Sequence, residues 1–122
     1  MVNSGSSANL LMLEALIRPT KTKPKLHPGE GVLVPAIAWP TTIWPIIQLG
    51  LIPLFVDVNL ETLAIDLVKA QQLIDTTQIP VAGIFPIHPL GYAIPPSEID
   101  SFSKKNNLVL ISKNNLLFFL FG

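Results

Sequence analysis

Four short apolar runs divide this chain: Val32–Pro35, Pro53–Val58, Val81–Ile87 and Leu108–Ile111. Apart from Asp57, their successive positions are apolar, so neither face of the resulting strands is reserved for water. Between them lie helix-forming segments. Ser4-Gly5-Ser6-Ser7 is a turn or cap cluster that leads into the helix formers Ala8–Ile17, ended by Pro19. Residues 18–31 form a polar connection carrying Lys21, Lys23 and Lys25. Trp39–Leu49 reads as a second helix, with Pro40 in its first turn and Gly50 as its stop. Asp66–Ile74 is a short amphipathic helix. Pro95–Asn107 is another, with Lys104-Lys105 in the last turn, where positive charge suits the helix dipole. Doubly apolar strands alternating with helices predict an α/β fold around a mainly parallel sheet. In such a sheet, ligands bind at the carboxyl ends of strands and at helix N-termini.

Composition removes several function classes. With 122 residues the chain supports one domain at most. It is 49% apolar and 13% charged, too apolar for disorder. Eight basic residues balance eight acidic ones, which gives no electrostatic basis for a nucleic-acid or anionic-membrane partner. No cysteine is present, so disulfides, thiolate metal sites and cysteine nucleophiles are excluded. No apolar run reaches the roughly 18–20 residues that span a bilayer. Met1–Ala8 is too polar for a secretory signal, and a cytoplasmic location is the default expectation. Few charges, 12 prolines and a very apolar end suit a piece of something larger.

The chemistry-bearing candidates are few. Gly5, Ser6 and Ser7 open a helix, where free N–H groups and two hydroxyls make a phosphate cradle, or else an ordinary N-cap. No Gly-Lys-Ser/Thr follows, so this is not a Walker loop. Trp39 follows the first strand-like run and is either a stacking surface for a flat ligand or a core anchor. Trp44, among Ile43, Ile46 and Ile47, reads as a core anchor. His88 follows the third run, at a general-acid or ligand-contact position, although a satisfied structural histidine is the plainer reading. His27 is assigned no role, and two distant histidines do not make a metal site. Asp57 and Asp66 lie near turns and read as local caps.

Several motifs in order resemble the DegT–DnrJ–StrS family of sugar aminotransferases, fold-type I enzymes that use pyridoxal phosphate (PLP). The matching stretches are Val2–Asn9, His27–Pro35, Trp39–Thr42, Gly50–Val58, Leu60–Asp66 and Pro86–Gly91. They extend over residues 2 to about 111, and the Pro-Thr-Thr after the aromatic is similar to members close to the nucleotide-sugar dehydrases. The resemblance implies a three-layer α/β sandwich, the partial large PLP-binding domain of fold-type I, over residues 1–111. It implies that Gly5, Ser6 and Ser7 hold the cofactor phosphate, that Trp39 stacks on the pyridine ring, and that His88 and Gly91 lie in a loop beside the active site. Asp57 and Asp66 match positions that look structural. The implied parent activity is transamination of a nucleotide-linked keto-sugar with glutamate as donor, for surface-polysaccharide or deoxysugar biosynthesis, by a homodimer. A PLP-dependent nucleotide-sugar dehydrase, or a non-catalytic remnant, are the alternatives.

The departures lie toward the C-terminus. The family carries an Asp that pairs with the protonated pyridine nitrogen, which keeps PLP an electron sink. Lys113 falls there, and a cation disfavours that protonation. The family's Schiff-base lysine, a histidine in the dehydrases, lies later than this sequence extends. Residues 112–122 have no family counterpart, and Leu116–Phe121 is wholly apolar, which natural surfaces avoid. A frameshift or truncation near residue 112 is the expectation, with a leading segment also missing. The polypeptide alone is expected to show no aminotransferase activity.

Overall fold

A computed structural model describes residues 3–18, 25–89 and 94–112. Pro19, Lys21, Lys23, Gly91, Lys113 and the apolar tail lie outside these described residues. Among the described residues eight elements alternate: α1 (Gly5–Ile17), β1 (Gly31–Pro35), α2 (Pro40–Gln48), β2 (Ile52–Val56), α3 (Leu67–Thr76), β3 (Val81–Ile84), α4 (Pro96–Lys105) and β4 (Val109–Leu110). The strands form one sheet in the order β2-β1-β3-β4, and every pairing is parallel.

The sheet is central because β1 is apolar on both faces. All five of its residues are buried. Val32 and Val34 face one way, into a core with Leu13 of α1, Ile46 of α2 and Phe85. Leu33 faces the other way, onto Ala70 of α3 and Ile99 of α4, with Ile84 of β3 beside it. The period-two alternation thus feeds two apolar cores, giving helix, sheet and helix layers.

Local chemistry sets the ends. Ser4 caps α1, its hydroxyl accepting the Ser7 N–H, so this helix starts at Gly5, earlier than the helix formers alone suggest. Gly50 ends α2 as anticipated, at φ +77°. Its N–H reaches the Ile47 carbonyl and that of Leu51 reaches Ile46, each at 3.0 Å, the paired bonds of a Schellman motif. The third strand stops at Ile84 rather than Ile87: Phe85 still donates to Leu33, but Pro86 has no N–H to continue the ladder. The second strand ends at Val56, short of Val58, which makes a separate antiparallel bridge to Ile65. This strand lies at the sheet edge, where Pro53 is tolerated and Phe55 is left exposed, so it is not apolar-buried on both faces as its sequence suggests. Trp44 is also corrected. It is 60% exposed, because α2 turns Ile46, Pro45 and Thr42 inward instead.

Candidate functional site

The first turn of α1 carries amides with no intrahelical partner. The Ser7 N–H is taken by the Ser4 hydroxyl at 3.2 Å, and the Ala8 N–H by the Ser4 carbonyl at 3.1 Å. Among the described residues no acceptor meets the Gly5 and Ser6 amides, and no acidic side chain stands in this turn. Two free donors at the positive end of a helix favour an anion. The Ser7 hydroxyl is drawn into the cap itself, donating to Asn3 Oδ1 at 2.7 Å and lying 3.1 Å from Ser4 Oγ. Cap and cradle therefore coexist on one turn.

Trp39 is the N-cap residue of α2, just beyond the carboxyl end of β1. Its carbonyl accepts the Thr42 N–H at 2.9 Å, while its indole is 75% exposed. The core-anchor reading is thereby overturned, and a flat apolar face is presented to solvent. His88 lies beyond the carboxyl end of β3, the strand beside β1, so the topology puts it at the same end of the sheet as Trp39. The ring is half-buried, and among the described residues its enclosed Nδ1 has no hydrogen-bond partner. Among the described residues, then, the reading of a satisfied structural histidine is not met. Burial lowers its pKa below the ordinary histidine value, which keeps it neutral.

Asn9 was not singled out by the sequence, yet it joins these parts. It is buried in α1, and its Nδ2 donates to the Thr41 carbonyl at 3.1 Å and lies 3.4 Å from Thr42 Oγ1. It ties the open end of α1 to the first turn of α2, directly after Trp39. The groove between the two helices, about 240 Å³, is lined by Ser6, Ser7, Thr41 and Trp44 among others. The signal that could have found it is a lone amide side chain on the same helical stripe as Leu13, within an apolar helix.

The two aspartates do local work, as their places near turns suggest. Asp66 caps α3, accepting the N–H groups of Val68 and Lys69. Asp57 accepts from Lys69 Nζ at 2.5 Å and from the Val58 N–H; both bonds lower its pKa, and the bond to Asp57 raises that of Lys69. His27 faces Glu30, whose carboxylate accepts the His27 N–H at 2.8 Å.

Residues 1–113 match the family model described as the DegT/DnrJ/EryC1/StrS aminotransferase family. The chain belongs to this family. It is 41% identical over 116 residues to a dTDP-4-dehydro-2,6-dideoxy-D-glucose 3-dehydratase of Saccharopolyspora spinosa, covering 93% of this chain and 24% of that protein. It is 44% identical over 110 residues to the lipopolysaccharide biosynthesis protein RfbH of Salmonella typhimurium, covering 88% of this chain and 24% of that protein. This member of the DegT/DnrJ/EryC1/StrS family thus spans about a quarter of the length of those relatives. Its fold matches the Escherichia coli GDP-4-keto-6-deoxy-D-mannose-3-dehydratase with bound hydrated PLP. There the TM-score is 0.77 at 35% identity, over 93% of this chain and 28% of that one. It also matches a Bacillus subtilis protein with bound cofactor PMP, with TM-score 0.71 and 25% identity over 87% of this chain and 22% of that one. The expected α/β architecture of fold-type I PLP enzymes is therefore present.

Proposed function

We propose that the chain supplies the phosphate and ring contacts for PLP in an enzyme that modifies a nucleotide-linked 4-keto-6-deoxysugar, and that the reaction is removal of the C3 hydroxyl. The observation that carries this reading is that Asn9 ties the start of α1, whose Gly5 and Ser6 amides meet no acceptor among the described residues, to the turn of α2 that bears the exposed Trp39 indole, while His88 follows the neighbouring strand at the same end of the sheet. The donor set fits PLP. The Gly5 and Ser6 amides suit its phosphate, Trp39 its flat ring, and His88 lines the edge where ring and substrate meet. Bound PLP supplies an electron sink for charge developing on the substrate carbon. The chain's own residues bind the anion, orient the ring and withhold a charged imidazole from its neighbourhood.

Relatives named as 3-dehydratases favour dehydration over the transamination that the motifs first suggest. Amino transfer from glutamate is the second reading, favoured by the family's own description. On either reading the parent enzyme works as a homodimer in the biosynthesis of deoxysugars or surface polysaccharides. Residues 1–111 are part of its PLP-binding domain, and residues 112–122 are a divergent tail.

Fluorescence titration of the chain with PLP tests the binding reading. Saturable quenching is expected, and Trp39→Ala is expected to weaken binding while leaving the far-ultraviolet circular dichroism intact; no quenching in the wild-type chain would refute it. The gene sequence beyond residue 111 tests the reaction. A reading frame that restores the family pattern with histidine at the lysine position favours dehydration, and lysine favours amino transfer.

A further inference from the structure

Asn9 is a polar side chain in a buried place, 4% exposed, one helical turn before the fully buried Leu13. The reason it is needed lies in the other helix. In an α-helix the Thr41 carbonyl takes the N–H of the residue four positions on, but that residue is Pro45, which has none. A carbonyl partly withdrawn from water gains from a donor elsewhere. Asn9 Nδ2 supplies it from 32 residues away, and Thr42 Oγ1 lies beside the same nitrogen. The orientation is forced, because a carbonyl only accepts. Asn9 Oδ1 is then left enclosed and, among the described residues, without a partner.

The Trp39 indole, by contrast, is 75% exposed, so its place follows from the backbone that bears it. That backbone is the first turn of α2, where the Trp39 carbonyl holds the Thr42 N–H and Asn9 holds Thr41 and Thr42. Asn9 itself is two residues beyond Ser7. One amide therefore bridges the open end of α1 and the turn that carries the indole.

We propose that Asn9 is a positioning residue that fixes the Trp39 ring relative to the Gly5 and Ser6 amides, so that a planar aromatic phosphate ester meets both at once; this rests on the binding reading above. Inorganic phosphate needs only the end of α1 and is indifferent to the bridge. PLP needs both parts in register.

The test uses the full chain carrying Trp44→Phe, which leaves Trp39 as the sole indole. Its fluorescence anisotropy is read without ligand, and affinities are read for PLP and for inorganic phosphate. Asn9→Ala is expected to lower the anisotropy. It is also expected to weaken PLP about tenfold, equivalent to roughly 1.4 kcal/mol, and to leave phosphate binding unchanged. Thr42→Val shifts both readouts the same way by less, and Thr42→Ser restores them. Should Asn9→Ala fail to fold, the two Thr42 variants decide alone. Unchanged anisotropy overturns the proposal, as does equal loss of PLP and phosphate affinity, which would mean that Asn9 shapes α1 only. If the unaltered chain binds neither ligand while the anisotropy still falls in the variants, the cofactor reading fails and the positioning role stands.

Discussion

Among the described residues, one enclosed atom without a partner, His88 Nδ1 or Asn9 Oδ1, sets these two side chains apart from the other polar ones. Asp66 and Asp57 satisfy themselves within a turn or across an exposed pair, and such surface pairs are screened and contribute little. An enclosed acceptor with no partner costs roughly 1–3 kcal/mol, a burden that folds tolerate mainly where a site needs it. For His88 the consequence is a pH dependence with a definite sign. Its folded pKa lies below the unfolded value of about 6.5. Between those two values the unfolded chain holds more protons, so stability rises with pH across that window and is lost as pH falls through it. The urea midpoint is expected to drop between about pH 7 and pH 5, and His88→Gln is expected to flatten that drop. Identical pH slopes in the two proteins would show that burial of this ring does not govern the titration.

At the scale of elements, prolines and glycines place most boundaries. Gly50 adopts a positive φ that L-residues resist, and a Cβ there would stand 3.2 Å from Pro28 Cβ. Gly50→Ala is expected to destabilise the fold by about 1–2 kcal/mol, read from urea unfolding, because the left-handed conformation is costly for alanine. Loss of less than a few tenths would mean that the end of α2 rearranges freely. Gly50 and Pro40 were legible in advance because their effects are local. Pro45 was legible only as a letter. Its effect, a freed Thr41 carbonyl, acquires meaning when Asn9 arrives from α1. Pro86 likewise cut β3 short within a run that hydrophobicity alone extended.

For the whole molecule, the four parallel strands bury β1 within the sheet and put the carboxyl ends of β1 and β3 side by side. That arrangement supports binding. The chain covers about a quarter of its curated relatives, and two of its described lysines are committed elsewhere, Lys69 to Asp57 and Lys104 to Asp100. Binding without turnover is therefore expected of the 122-residue chain supplied with PLP, glutamate and a nucleotide-linked keto-sugar. Formation of product dependent on added PLP, followed by chromatography, would overturn this.

The order of elements, the parallel sheet, the capped start of α1 and the family motifs were all determined by the sequence itself, because periodicity, caps and backbone-restricting residues act over a few positions. Exposure of Trp39 and Trp44, the edge position of β2, a His88 Nδ1 without a partner among the described residues and the Asn9 bridge were decided by tertiary structure. Each depends on which surface a distant segment covers and which hydrogen-bonding group it leaves free, and no local pattern of residues encodes that.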